Sequence, residues 1–182
     1  MNRNLINRKN FDIVAFLEGR IPDNKGRMVS EIHGYGPFKL EFKHDYIQRM
    51  FPTDEHSSFD RTAHVLTESE ITSIRDSQGA KENIRKMYNI MLRFWKIDGD
   101  RYMDWTIQRH WNHAHNHNHY RMTRLLLCFQ LLGLDSEYAD LSKRLSYMIN
   151  MRNTQKINEK AKGKVCISNK TCDIWSRYIS HF

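Results

Sequence analysis

The chain has 182 residues, 40% of them hydrophobic and 12% aromatic, enough for one domain with a real core and too apolar for a disordered chain. Its 29 Lys and Arg against 21 Asp and Glu leave a formal charge of +8, which favours anionic partners without naming one. The longest apolar run, LLLCFQLLGL at 125–134, is half the roughly 20 residues of a membrane span, and no secretory signal is read at the start. Three cysteines are too few for a disulfide framework, so an intracellular, reducing setting is expected, cytoplasm or nucleus.

Residues 1–9 read as a flexible basic arm. Phe11, Val14, Ala15 and Phe16 share a helical face that Gly19 and Pro22 end. A short helix is predicted near Met28–His33, closed by the turn GYGP. Phe38, Leu40 and Phe42 alternate like a strand, whereas Phe42, Tyr46, Ile47 and Met50 keep helical spacing, so a helix is predicted from about residue 43 to Pro52. A polar loop, TDEHSSFDRTAH, follows. Thr67 and Glu70 then form a capping box for a helix to about Asp76.

Ile84, Met87, Tyr88, Met91, Leu92 and Trp95 make one apolar stripe on a helix over 80–97, read as core. A short helix over Tyr102–Trp111, anchored by Tyr102, Trp105 and Ile107, is expected next. Asn118 is read as the cap of a helix that ends at Gly133, and Asp135 or Ser136 as the cap of another carrying Leu141, Leu145 and Met148. Residues 153–170 read as a polar basic linker and 171–182 as a short docked helix. The expectation is an all-α protein with little or no sheet, a single globular domain over 10–152 with about seven to eight helices.

Five of the ten histidines lie in HWNHAHNHNH at 110–119. On a helix, His113 and His117 are four apart and could share a metal ion. No carboxylate stands between them as in the metalloprotease motif HExxH, and no third ligand is evident, so His113 and His117 are weak metal candidates only. The interleaved Asn112, Asn116 and Asn118 favour a polar connection that caps the next helix. No cofactor is expected, because the chain has neither a glycine-rich phosphate loop nor a nucleophile elbow.

KLEFKHDYIQRMFPT at 39–53 resembles the L-E-x-x-H-x-Y-I-Q-x-x-F-P signature of the opioid growth factor receptor conserved domain. HNHNHYRMTRLLLCFQLLGL at 115–134 is similar to that family's Asn/His tract, its L-R-I-T-R-I-L helix and the L-G-L turn. FLEGRIPDNKG at 16–26 resembles the family's F-Y-x-G-x-x-P-D-x-x-G opening, and the helix at 80–97 falls at its R-x-Y-x-x-M-L-x-F element. Arg49 and Met50 replace the usual Trp and Leu, and Tyr120 a leucine. The resemblance implies an all-helical, non-enzymatic domain of a family named for peptide binding and growth regulation.

The matched motifs nominate a ligand-binding set: Arg121, Arg124, His44, Tyr46 and Gln48, with His117 and His119 at its edge. Two guanidinium forks near a helix start suit a carboxylate or phosphate. The bland reading is an ion pair of one arginine with Glu41 or Asp45. The expected function is a binding or regulatory module for a peptide, a protein or an anionic small ligand. One alternative is an enzyme acting on a nucleotide or other phosphate-containing substrate through the same His/Arg/Tyr pocket. A second is nonspecific nucleic-acid binding through the basic ends, a partner class not favoured by any motif.

Overall fold

A computed structural model describes residues 11–57, 59–103, 108, 110–154 and 167–179. The predicted basic arm, most of the predicted linker and most of the helix expected over Tyr102–Trp111 lie outside them. The described residues form helices and no strand, in agreement with the all-α expectation. They fall into two units, residues 1–84 and 85–182, and the boundary lies inside one long helix.

In the first unit, α1 (Ile13–Leu17) is capped by Asp12, whose carboxylate accepts from Ala15 N at 2.9 Å. It packs on α4 (Tyr46–Met50) and α5 (Glu68–Asp76) through Ile13, Phe16 and Leu17. α2 (Val29–His33) begins where predicted. The alternating stretch that looked like a strand is instead α3 (Pro37–Phe42). Proline at its first turn, where no N–H is needed, starts the helix, and Phe38 and Phe42 end up on its solvent side, four residues apart.

The helix predicted from about residue 43 to Pro52 is the shorter α4 (Tyr46–Met50), because Lys43 adopts extended backbone and closes α3 before it. The Thr67–Glu70 capping box is present: Thr67 N donates to Glu70 at 2.8 Å. α6 (Gln78–Trp95) buries the expected stripe, Ile84, Met87, Tyr88, Met91, Leu92 and Trp95.

The loop between α1 and α2 holds more charge than its sequence advertised. Asp23, buried, accepts from Lys25 N at 2.9 Å and Arg27 N at 3.0 Å, and its carboxylate pairs with the Arg27 guanidinium. Gly26 turns the loop at φ +77°, a region that favours glycine. Arg27 also bonds Asp45 at 2.8 Å, and Lys25 reaches the same carboxylate at 2.8 Å. These cations hold Asp45 down at about 2 against the desolvation of its site. Arg49, only 2% exposed where the family signature has an aromatic residue, bonds Asn24 at 3.0 Å and Asp60 at 3.4 Å.

The second unit is built on α7 (His117–Leu132) and α8 (Asp135–Thr154), joined by Gly133 in the left-handed region at φ +66°. α9 (Asn169–Tyr178) packs on both. A polar seam links α6 and α8: Tyr88 donates to Asp140 at 2.7 Å, and Arg144 bonds Asp140 at 2.8 Å and the Gly99 carbonyl at 2.7 Å. Tyr88 also meets Phe129 of α7 edge-on, ring centres 5.0 Å apart. Cys128 is fully buried here, its thiol pushed up to about 12 by desolvation.

Candidate functional site

The histidine tract is an irregular entry to α7 rather than a helix of its own. Its cap is Asn116, not Asn118: the Asn116 side chain accepts from Asn118 N at 2.8 Å and donates to the His110 carbonyl at 3.1 Å. With the helix starting at His117, His113 lies before it and the imagined i, i+4 face is absent. His113 Nε2 meets the Asn116 amide at 3.0 Å and His117 Nε2 the Asn118 amide at 3.4 Å. Among the described residues no group of three His, Cys, Asp or Glu could hold a metal ion.

Asn118 turns inward, where its carbonyl oxygen accepts from Trp95 Nε1 at 3.0 Å and from Arg121 Nη1 at 3.0 Å. Arg121 is thus a buried residue of the helix start. Arg124, one turn on, is half-buried, and its charge bears on the Cys128 thiol. In the first unit, Tyr46 is fully buried and donates to the Leu40 carbonyl at 3.0 Å. Gln48 is also buried; its amide donates to Ser57 at 3.3 Å, while Oε1 has no partner among the described residues. His44 is exposed, and the Asp45 beside it is held by Lys25 and Arg27.

His119 is the hub of the second unit's polar interior. One ring nitrogen, Nε2, lies 3.0 Å from the Trp111 carbonyl, which can only accept, so that nitrogen carries the proton. Nδ1 then accepts from the Thr171 hydroxyl at 3.1 Å, which in turn lies 3.0 Å from the Ser168 hydroxyl. The indoles of Trp111 and Trp175 stand edge-on to the ring at 6.2 and 5.6 Å. Burial drives the imidazole down to about 4, so it is neutral at pH 7.

Above this hub opens a cleft of about 380 Å³ between the first turns of α7 and α9. His115, Asn116, His117, His119, Tyr120 and Thr123 line one side. Ser168, Lys170, Thr171, Ile174 and Trp175 line the other. Of the residues nominated from the sequence, His117 and His119 are brought together here; Arg121 and Arg124 are not among the lining side chains. The α9 contribution was missed. Ser168 caps α9 by accepting from Thr171 N at 3.1 Å, so Ser-x-x-Thr was a legible helix start, but nothing local tied it to residues some fifty positions earlier.

No solved structure matches the chain significantly. The opioid growth factor receptor of Mus musculus is 31% identical over 110 residues, 56% of this chain and 17% of that protein. The Rattus norvegicus receptor is 30% identical over 110 residues, 56% of this chain and 19% of its own length. The similarity thus spans under a fifth of these relatives. The model of the opioid growth factor receptor (OGFr) conserved region matches residues 29–162, so the 16–26 resemblance falls upstream of it. With the match covering well over half of its length, the chain belongs to the opioid growth factor receptor conserved-region family.

Proposed function

We propose that this chain is a binding and regulatory module that takes a peptide segment or small ligand in the cleft between the starts of α7 and α9. The observation that carries the reading is the cleft itself. Its volume of about 380 Å³ lies within the range of ligand sites, and polar side chains of the histidine tract converge on it beside the apolar Ile174 and Trp175. The rodent relatives are named as receptors for a growth factor, in keeping with a recognition role.

Binding is favoured over acid–base catalysis by the state of His119. Both of its nitrogens are engaged and its basicity is depressed, which suits holding a wall in place better than moving a proton at neutral pH. His117 and His119 are its contact and wall residues; Arg121, through Asn118, sets the first turn of α7. A reducing intracellular setting is part of the reading, supported by the buried thiols of Cys128 and Cys172. No helix among the described residues is long and apolar enough to cross a membrane.

The test is amide chemical-shift mapping of the whole chain against a synthetic tetrapeptide library. Shifts gathered at residues 114–123 and 168–175 are expected. Shifts gathered elsewhere, with this cleft silent, would refute the assignment.

A further inference from the structure

Resting on that cleft assignment, we infer the chemical class of its ligand: an apolar or aromatic group that carries a terminal anion, either a chain-terminal carboxylate or an aryl phosphate.

The charge comes from the lining. Lys170 borders the cleft, and among the described residues no aspartate or glutamate does. Lys170 is exposed and has no hydrogen-bond or ion-pair partner among the described residues. An ammonium group facing a cleft without a counter-charge gains from any anion placed there, and the low-dielectric wall behind it strengthens that gain. The first turns of α7 and α9, helices of 16 and 10 residues, add the positive ends of two peptide dipoles to the same side.

The other half comes from shape and polarity. Ala114, Ile174 and Trp175 supply apolar lining, and Tyr120, 51% exposed, lines the same cleft with a ring able to pack on a flat group. A bare ion would leave this lining wet. His119 and Thr171 already satisfy each other, so the floor offers little to a ligand rich in hydroxyls.

Four probes separate these elements by NMR titration of the full chain: N-acetylphenylalanine, its neutral amide, phenyl phosphate and inorganic phosphate. The cleft resonances should follow the acid at least about tenfold more tightly than the amide, a single charge-assisted contact's worth. Phenyl phosphate should likewise outbind inorganic phosphate, and whichever of the two aryl anions binds tighter identifies the source. Lys170→Glu should weaken both aryl anions by about fivefold or more without changing the circular dichroism. Equal binding of acid and amide in the cleft would overturn the anion while leaving the cleft as a site. Equal binding of the two phosphates would overturn the apolar half. Silence toward all four probes overturns the ligand class, and the tetrapeptide mapping then decides the cleft separately.

Discussion

Asn118 receives the Trp95 indole N–H at 3.0 Å in the interior of the second unit, and the same oxygen takes Arg121 Nη1 at 3.0 Å. Trp95 in turn offers its backbone carbonyl to Trp111 Nε1 at 2.8 Å. One amide oxygen therefore accepts from a buried indole and from a buried guanidinium at the mouth of α7. Asn118→Leu removes the acceptor from both donors and should cost about 2–4 kcal/mol, since an orphaned buried donor costs the full desolvation penalty. Asn118→Asp keeps the acceptor and should cost clearly less. Urea unfolding of the two variants against the parent decides it; equal losses would mean that the amide's volume matters and its hydrogen bonds do not.

His119 gives the fold a pH dependence whose sign is fixed. Its folded value, about 4, lies below the roughly 6.5 of an unfolded imidazole, so the unfolded chain binds the extra proton. Stability is full above pH ~6.5 and falls as pH drops toward 4, by on the order of 3 kcal/mol in all. His119→Gln cannot charge. The difference between parent and variant, followed by urea unfolding from pH 8 to 4, should shrink on the acid side and be constant above pH ~7. A difference independent of pH would remove the imidazole from the account.

How much of this was readable in advance depends on how local the cause is. Thr67, Glu70 and Gly133 act within a turn of chain, and the caps they predict are present. The α6 stripe is also local, and all six residues named for it are buried. α3 escapes the pattern because strand-like alternation carries no information on burial: Phe38 and Phe42 are exposed, and only Leu40 faces inward. The cap of α7 was displaced by two residues, since Asn116 and Asn118 are equal candidates by type and only the inward partner Trp95 separates them. For the site, His117 and His119 were legible in the tract. Lys170 and Thr171 were not, because their relation to His119 is made by packing of α9 on α7.

Arg27 is one cation shared by two carboxylates of the first unit, one fully buried and one half-buried. Arg27→Met keeps much of the side chain's volume and leaves Asp23 with only its backbone donors. The expected loss is about 3 kcal/mol, that of breaking a buried pair from one side. Asp45 retains Lys25, so the variant should still fold in mild conditions. The parent's own acid response has the opposite origin from that of His119: Asp45 is depressed to about 2, so its contribution is present above pH ~3.8 and disappears as pH falls through 2. Chemical unfolding at pH 5 and pH 2.5 should show the Arg27→Met penalty shrinking at the lower pH.

α3 sorts its two apolar faces by energy. Phe38 and Phe42 are 75% and 64% exposed, and their rings touch each other with centres 4.7 Å apart. Leu40, on the opposite side, is buried, and its carbonyl receives the Tyr46 hydroxyl. Replacing both phenylalanines by serine removes one ring contact, worth about 0.5–1.5 kcal/mol, and little burial. Leu40→Ala opens a cavity beneath the helix and should cost about 2–4 kcal/mol. The same residue type that sequence patterning counts as core is thus expendable here for stability, and one leucine between the two rings is not. Midpoints of urea unfolding for the double serine variant and for Leu40→Ala should differ in this order. A larger loss from the double variant would place the two rings against protein rather than solvent.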